Sequence, residues 1–92
     1  MIVRILGEGQ FRLDDGLMRD LDEIDNRIVD HVQSGNHQAF RRDMHRLISL
    51  IRERGEPLDP LEIVQSSIIA PHEDISLEEA KKIFFGSGII EG

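Results

Sequence analysis

Residues 17–54 read LMRDLDEIDNRIVDHVQSGNHQAFRRDMHRLISLIRER, and this stretch decides the fold. Its first half places Leu17, Leu21, Ile24, Ile28 and Val32 at steps of four, three, four and four. Those positions share one face of a helix with a 3.6-residue period. The intervening residues are mostly charged, so the spacing predicts an amphipathic helix from Asp15 to Val32 with a solvated back that includes Asp20, Asp22, Glu23 and Asp25. Asp14 or Asp15 can cap its first amides. The second half carries Phe40, Met44, Leu47 and Ile51 on one stripe, which predicts a helix from His37 to Arg54, with Ile48 and Leu50 widening its apolar arc. Ser34-Gly35-Asn36 breaks the first helix, while Gly55 and Pro57 end the second. Two helices joined by so short a link run antiparallel and bury their stripes together. About eight large apolar side chains meet there, each contributing roughly 1.5–3 kcal/mol before conformational entropy is subtracted.

Charge gives the pair a second reading. Residues 14–33 hold seven acidic and two basic side chains, and residues 37–54 hold five arginines and two acids. The helices are thus complementary in sign, and the arginines are expected to partner the acidic first helix at its flanks. Exposed pairs contribute only about 0.2–1 kcal/mol each, so this selects orientation more than stability.

Outward from the helices, residues 2–6 alternate in strand fashion, with Val3 and Ile5 on one face. Gly7-Glu8-Gly9 supplies a turn, and Gln10 to Leu13 resumes the alternation with Phe11 and Leu13 together. The first 13 residues therefore read as a β-hairpin. Gly-x-Gly here leads into a strand rather than a helix, and no lysine follows it, which argues against a phosphate loop. A lone hairpin is marginal, so it needs the helical pair as a lid and a further strand from the C-terminal third.

Residues 55–75 are punctuated by Gly55, Pro57, Pro60 and Pro71, yet Leu58, Leu61, Ile63, Val64, Ile68 and Ile69 make them too apolar for a free linker. A short helical turn over Leu61 to Ser66 and a short strand over Ser67 to Ala70 are expected. Ser76-Leu77-Glu78-Glu79 is a capping box with Ile75 placed for a hydrophobic staple. It opens a short helix to about Phe85, with Leu77, Ala80, Ile83 and Phe84 on its apolar side. Ile89 and Ile90 are expected to dock, with residues 88–91 a second minor strand.

The whole therefore reads as a single α+β domain over residues 1–92: a hairpin at 1–13, a long antiparallel helical hairpin at 15–54, and an irregular segment plus short helix at 55–92. Its expected core is Val3, Ile5, Phe11, Leu17, Leu21, Ile24, Ile28, Val32, Phe40, Met44, Leu47, Ile51, Ile83 and Phe84. At 92 residues the core is thin, and self-association is a natural supplement.

The net charge of −7 argues against a general binder of nucleic acid or anionic membrane. No cysteine is present, so no disulfide framework or thiolate site exists. Four phenylalanines are the only aromatics, too few for a base-stacking platform. The opening Met1-Ile2-Val3-Arg4-Ile5-Leu6 is interrupted too soon for a signal peptide, and no apolar run approaches the roughly 20 residues of a membrane span. Cytoplasmic residence is the expectation.

Chemistry is sparse. His31, His37, His45 and His72 fall in no metal-ligand pattern, and Arg41 stands between His37 and His45 where it would repel a cation. His72-Glu73-Asp74 fits a solvated turn before a capped helix. The acids of the first helix spread around its surface instead of converging on a pocket. No serine has a nucleophile elbow. Neither an enzyme nor a cofactor or metal site is expected. Leu17 to Asp25 faintly resembles the opening helix of helical chorismate mutases, but the initial strands and the acidic helix exclude that fold. What remains is a protein–protein interaction module. Arg41, Arg42, Arg46 and Arg52, with Ile48 and Leu50 beside the main stripe, are the candidate partner-binding residues. A self-associating homodimer is the second reading, and a small-ligand sensor or enzyme the third.

The order of the pieces carries a resemblance. Met1 to Phe11 opens the chain (MIVRILGEGQF), an acidic helix follows, and Gly35-Asn36 leads to an arginine-rich helix ending Arg52-Glu53-Arg54-Gly55. Ile68-Ile69-Ala70-Pro71, Leu77-Glu78-Glu79 and Gly88-Ile89-Ile90 close it. Over nearly its whole length the chain resembles the PspA-associated domain family, PspAA. That resemblance implies a small accessory or regulatory protein of an envelope-stress response. Its implied partner is a PspA-like coiled-coil protein, through which it would reach the membrane, and no catalytic residues are implied.

Overall fold

The computed structural model describes residues 1–62 and 64–83. Asp14 caps a single 3-10 turn, Asp15–Leu17, its Oδ1 accepting from the Gly16 amide at 2.8 Å. The chain then enters α1 (Met18–Ser34). Gly35 takes the left-handed conformation (φ 70°, ψ 23°), where a side chain would be strained, and its amide closes the last turn of α1. Asn36 opens α2 (His37–Arg54), its Oδ1 accepting from the Ala39 amide at 3.2 Å. The link is two residues long, and the helices pack antiparallel as their stripes demand.

Four strands lie beneath them. Strands β1 (Ile2–Ile5) and β2 (Gly9–Arg12) make the antiparallel hairpin, with Val3 opposite Phe11 and Ile5 opposite Gly9. The two-residue β3 (Glu56–Pro57) follows α2 directly and pairs with β2. After the crossover, β4 (Ile68–Ala70) pairs parallel to β1, giving the order β3-β2-β1-β4. The period-two register turns Val3, Ile5, Ile68 and Ala70 toward the helices and leaves Arg4 and Ile69 on the outer face.

The segment over Leu61 to Ser66 is not helical in its described residues. Asp59 builds a turn there instead: its Oδ1 accepts from the Leu61 amide and its carbonyl from the Glu62 amide, both at 2.9 Å. Further on, Gln10 Nε2 donates to the Val64 carbonyl (2.6 Å) and to Ser66 Oγ (2.8 Å). Contacts from the hairpin thus fix this stretch, where a nascent helical turn would have only its own costly nucleus.

Ser76 and Glu79 form the capping box, with Glu79 N–H donating to Ser76 Oγ at 3.1 Å. The helix α3 (Leu77–Ile83) packs its buried Leu77 and Ala80 among the core residues, beside α1. The Ile83 side chain, Phe84 and the proposed strand at residues 88–91 lie outside the described residues.

The core joins sheet and helices in one cluster. Val3, Ile5, Leu21, Ile28, Phe40, Met44, Leu47, Ile48 and Ile51 are almost fully buried, while Phe11 and Ile24 are half-buried at its margin. Leu13, Val29, Ala39, Ile75, Leu77 and Ala80 complete it; of these, Leu13, Leu77 and Ala80 lie on the apolar faces that the sequence marked, and Val29 and Ala39 do not.

Candidate functional site

Of the sequence-predicted docking residues, the structure distributes most to other tasks. Arg41 faces the loop before α3: its guanidinium donates to the carbonyl oxygens of Glu73 (Nη1, 3.0 Å) and Ile75, and its Cζ lies 4.9 Å from the centre of the Phe40 ring. Arg52 reaches across to the turn of the hairpin and holds the Glu8 carboxylate, Nε to Oε2 at 3.0 Å. That bond is the chief reason the Glu8 carboxyl titrates below its usual range and the Arg52 guanidinium above it. Ile48 has no exposed surface, because its position between Met44 and Ile51 falls inside the arc that the sheet covers. It belongs to the core and offers a partner nothing.

The expected pairing of the α2 arginines with the acids of α1 does not occur among the described residues. Arg42 approaches Asp43 of its own helix at 3.9 Å, and Arg46 makes no ion pair with any described residue. Between the two helices His31 Nε2 lies 3.0 Å from Asp43 Oδ2. The approach is off the line of a hydrogen bond, and this buried Oδ2 has no hydrogen-bond partner among the described residues.

Asp43 and Asp25 are the two acids that sequence reasoning placed wrongly or passed over. Both are buried, at 1% and 0% exposure. Asp25 is therefore no part of a solvated face. The signal was present: Asp25 lies four residues after Leu21 and three before Ile28, and Asp43 three after Phe40 and four before Leu47. Both sit on the stripe itself, where helical spacing outranks residue polarity.

Leu50 and Arg46 do come together, with residues of α1. A groove of about 500 Å³ runs between the helices. Half-buried Ile24 and Leu50 form its floor. Asp20, Glu23 and Arg27 line it from α1, and His45, Arg46 and Glu53 from α2. His45 is tied at its other side to Glu73, Nδ1 to Oε1 at 2.8 Å. An apolar floor between charged rims is suited to receiving one more amphipathic helix by its apolar edge. Among the described residues no group of three or more potential ligands is close enough to hold a metal ion, and no helix is long and apolar enough to cross a membrane.

A hairpin-topped sheet carrying a grooved helical pair defines a protein-interaction domain. The family model described as PspA-associated protein, PspAA, matches residues 1–92, and the chain belongs to that family. Membership makes it an accessory protein linked to PspA-type coiled-coil stress proteins. No curated protein and no solved structure matches the chain.

Proposed function

We propose that this protein works as one 92-residue unit that docks on a PspA-like coiled-coil protein through the groove between α1 and α2. The observation that carries this reading is the apolar floor, Ile24 and Leu50, left half-buried between charged rims on an otherwise well-packed helical pair. A coiled-coil helix carries the matching element, an apolar seam flanked by charge. Arg46 serves at the rim. Arg41 and Arg52 act indirectly by holding α2 in place. The protein resides in the cytoplasm and meets the membrane only through its partner, because a net charge of −7 is repelled by anionic lipid.

The test is co-purification of the tagged full chain with the PspA-like protein of the same cells. Leu50→Glu places a charge on the groove floor and is expected to abolish capture while leaving the circular dichroism spectrum unchanged. Retained capture by a folded Leu50→Glu variant would move the interface off this groove.

A further inference from the structure

The groove carries a charge order along its length. In the antiparallel register that sets His31 opposite Asp43, equal steps along the two helices bring Ile24 level with Leu50. Arg27 then lies beside Arg46, and Asp20 beside Glu53, to within one residue. Each helix therefore writes acid, apolar, base across one heptad: Asp20, Ile24, Arg27 on α1, and Arg46, Leu50, Glu53 in reverse on α2. Glu23 lies between the two ends, three residues from Asp20 and four from Arg27.

Antiparallel helices usually support each other with opposite charges across their flanks. Here like charges stand side by side. Among the described residues, none of Asp20, Glu23, Arg27, Arg46 and Glu53 makes an ion pair or hydrogen bond with its side chain. The free chain thus keeps Asp20 and Glu53 about 10 Å from Arg27 and Arg46, seven residues at the helical rise, with Glu23 between them.

We infer that the helix seated in this groove is itself charge-ordered, with basic and acidic side chains one heptad apart on either side of an apolar seam residue. Its basic turn lies against Asp20 and Glu53, and its acidic turn against Arg27 and Arg46. This rests on the reading of the groove as the docking face for a coiled-coil partner, and it adds what selects the segment and fixes its direction. A second copy of this chain turned end for end would match the charges too. It would, however, set groove against groove, with both floors recessed, whereas a single helix brings a ridge to the groove.

Two reversals decide the matter against the PspA-like protein of the same cells, measured by titration calorimetry with the full chain. One is Arg27→Glu with Arg46→Glu. The other is Asp20→Lys with Glu53→Lys. Both are expected to weaken binding about tenfold, since each turns a matched end into a repulsive one. Attraction by net charge alone would weaken one and strengthen the other. That result, or two unchanged affinities, overturns the proposal.

If the wild-type chain fails to bind that protein, the partner reading falls, and synthetic helices still test the charge order. Three peptides of about 28 residues, long enough to be helical, share one leucine seam and differ only in charge: lysine and glutamate one heptad apart, all lysine, or all glutamate. The charge-ordered peptide is expected to bind about tenfold more tightly than either uniform one. Equal binding, or preference for a uniform peptide, overturns the proposal. A wild-type dimer in sedimentation that both reversals disperse would also overturn it, in favour of a second copy. Melting curves of both variants confirm that the fold is retained.

Discussion

Arg52 holds Glu8 across 44 residues of sequence, tying the C-terminal half of α2 to the turn between β1 and β2. The hydrogen bond lowers the Glu8 pKa from its ordinary value of 4.5; partial desolvation opposes the shift and the Arg52 charge reinforces it. A carboxylate whose folded pKa is depressed contributes stability that is fully present above its unfolded value and lost as pH falls through the folded one. The tie therefore weakens on the acid side of 4.5. Glu8→Gln is expected to melt slightly below the wild type at pH 7, with the two curves converging as the pH is taken below that point. A gap that persists unchanged into acid would assign the loss to packing instead of charge. Asp15 titrates low for a similar reason, a 2.7 Å hydrogen bond from the N-terminal ammonium, and loses its contribution in the same direction.

Gly55 marks the corner where α2 turns into β3, and its role is space. Its backbone is extended (φ −87°, ψ 151°), a conformation open to any residue. A Cβ there would meet the Ile51 carbonyl oxygen at 2.4 Å and Phe11 Cβ at 2.9 Å. Neither neighbour is the loose end of a flexible side chain, so the backbone has to shift. Gly55→Ala is expected to cost about 1–3 kcal/mol. In a chain of this size that lowers the melting temperature by roughly 4–8 °C per kcal/mol. A variant as stable as the wild type would mean that the corner yields freely.

Much of this architecture was legible in the sequence, because it rests on short-range rules. Helix α2 follows Asn36 and ends at Gly55 as the sequence predicts, and the Ser76–Glu79 capping box starts α3. Long-range pairing was less legible. The parallel partnership of β4 with β1 and the existence of β3 depend on where the crossover returns, which no local pattern encodes. The arginines show the same divide. Their sign suggested the acidic helix as partner, yet Arg41 and Arg52 found a loop carbonyl and a turn carboxylate 32 and 44 residues away. Only the register of the finished helical pair reveals that Arg27 neighbours Arg46.

Asp43 offers a test of how a buried acid is tolerated. Its Oδ2 is 3.0 Å from His31 Nε2 without an aligned hydrogen bond, at a site with 1% exposure. Asparagine keeps the shape, removes the charge and supplies an N–H that can be aimed at the imidazole nitrogen. Asp43→Asn is expected to raise unfolding free energy by about 1 kcal/mol in urea at pH 8. A comparable loss would instead show that the carboxylate is productively paired with the ring.

Arg41 closes the contact between α2 and the loop that launches α3. One planar guanidinium serves two carbonyls, of Glu73 and Ile75, and Ile75 is the buried residue just before the Ser76 cap. Lysine carries the same charge but lacks the fork that spans two acceptors. Arg41→Lys is therefore expected to loosen the loop, and Arg41→Ala to loosen it further. The neighbouring His45–Glu73 contact remains as a single point of attachment. Amide exchange should report this as faster exchange in the first turn of α3, with α1 and the centre of α2 still protected to the global limit. Loss of protection across the whole chain would make Arg41 a determinant of global stability. Unchanged exchange in α3 would mean that the capping box and the packing of Leu77 and Ala80 hold the helix without it.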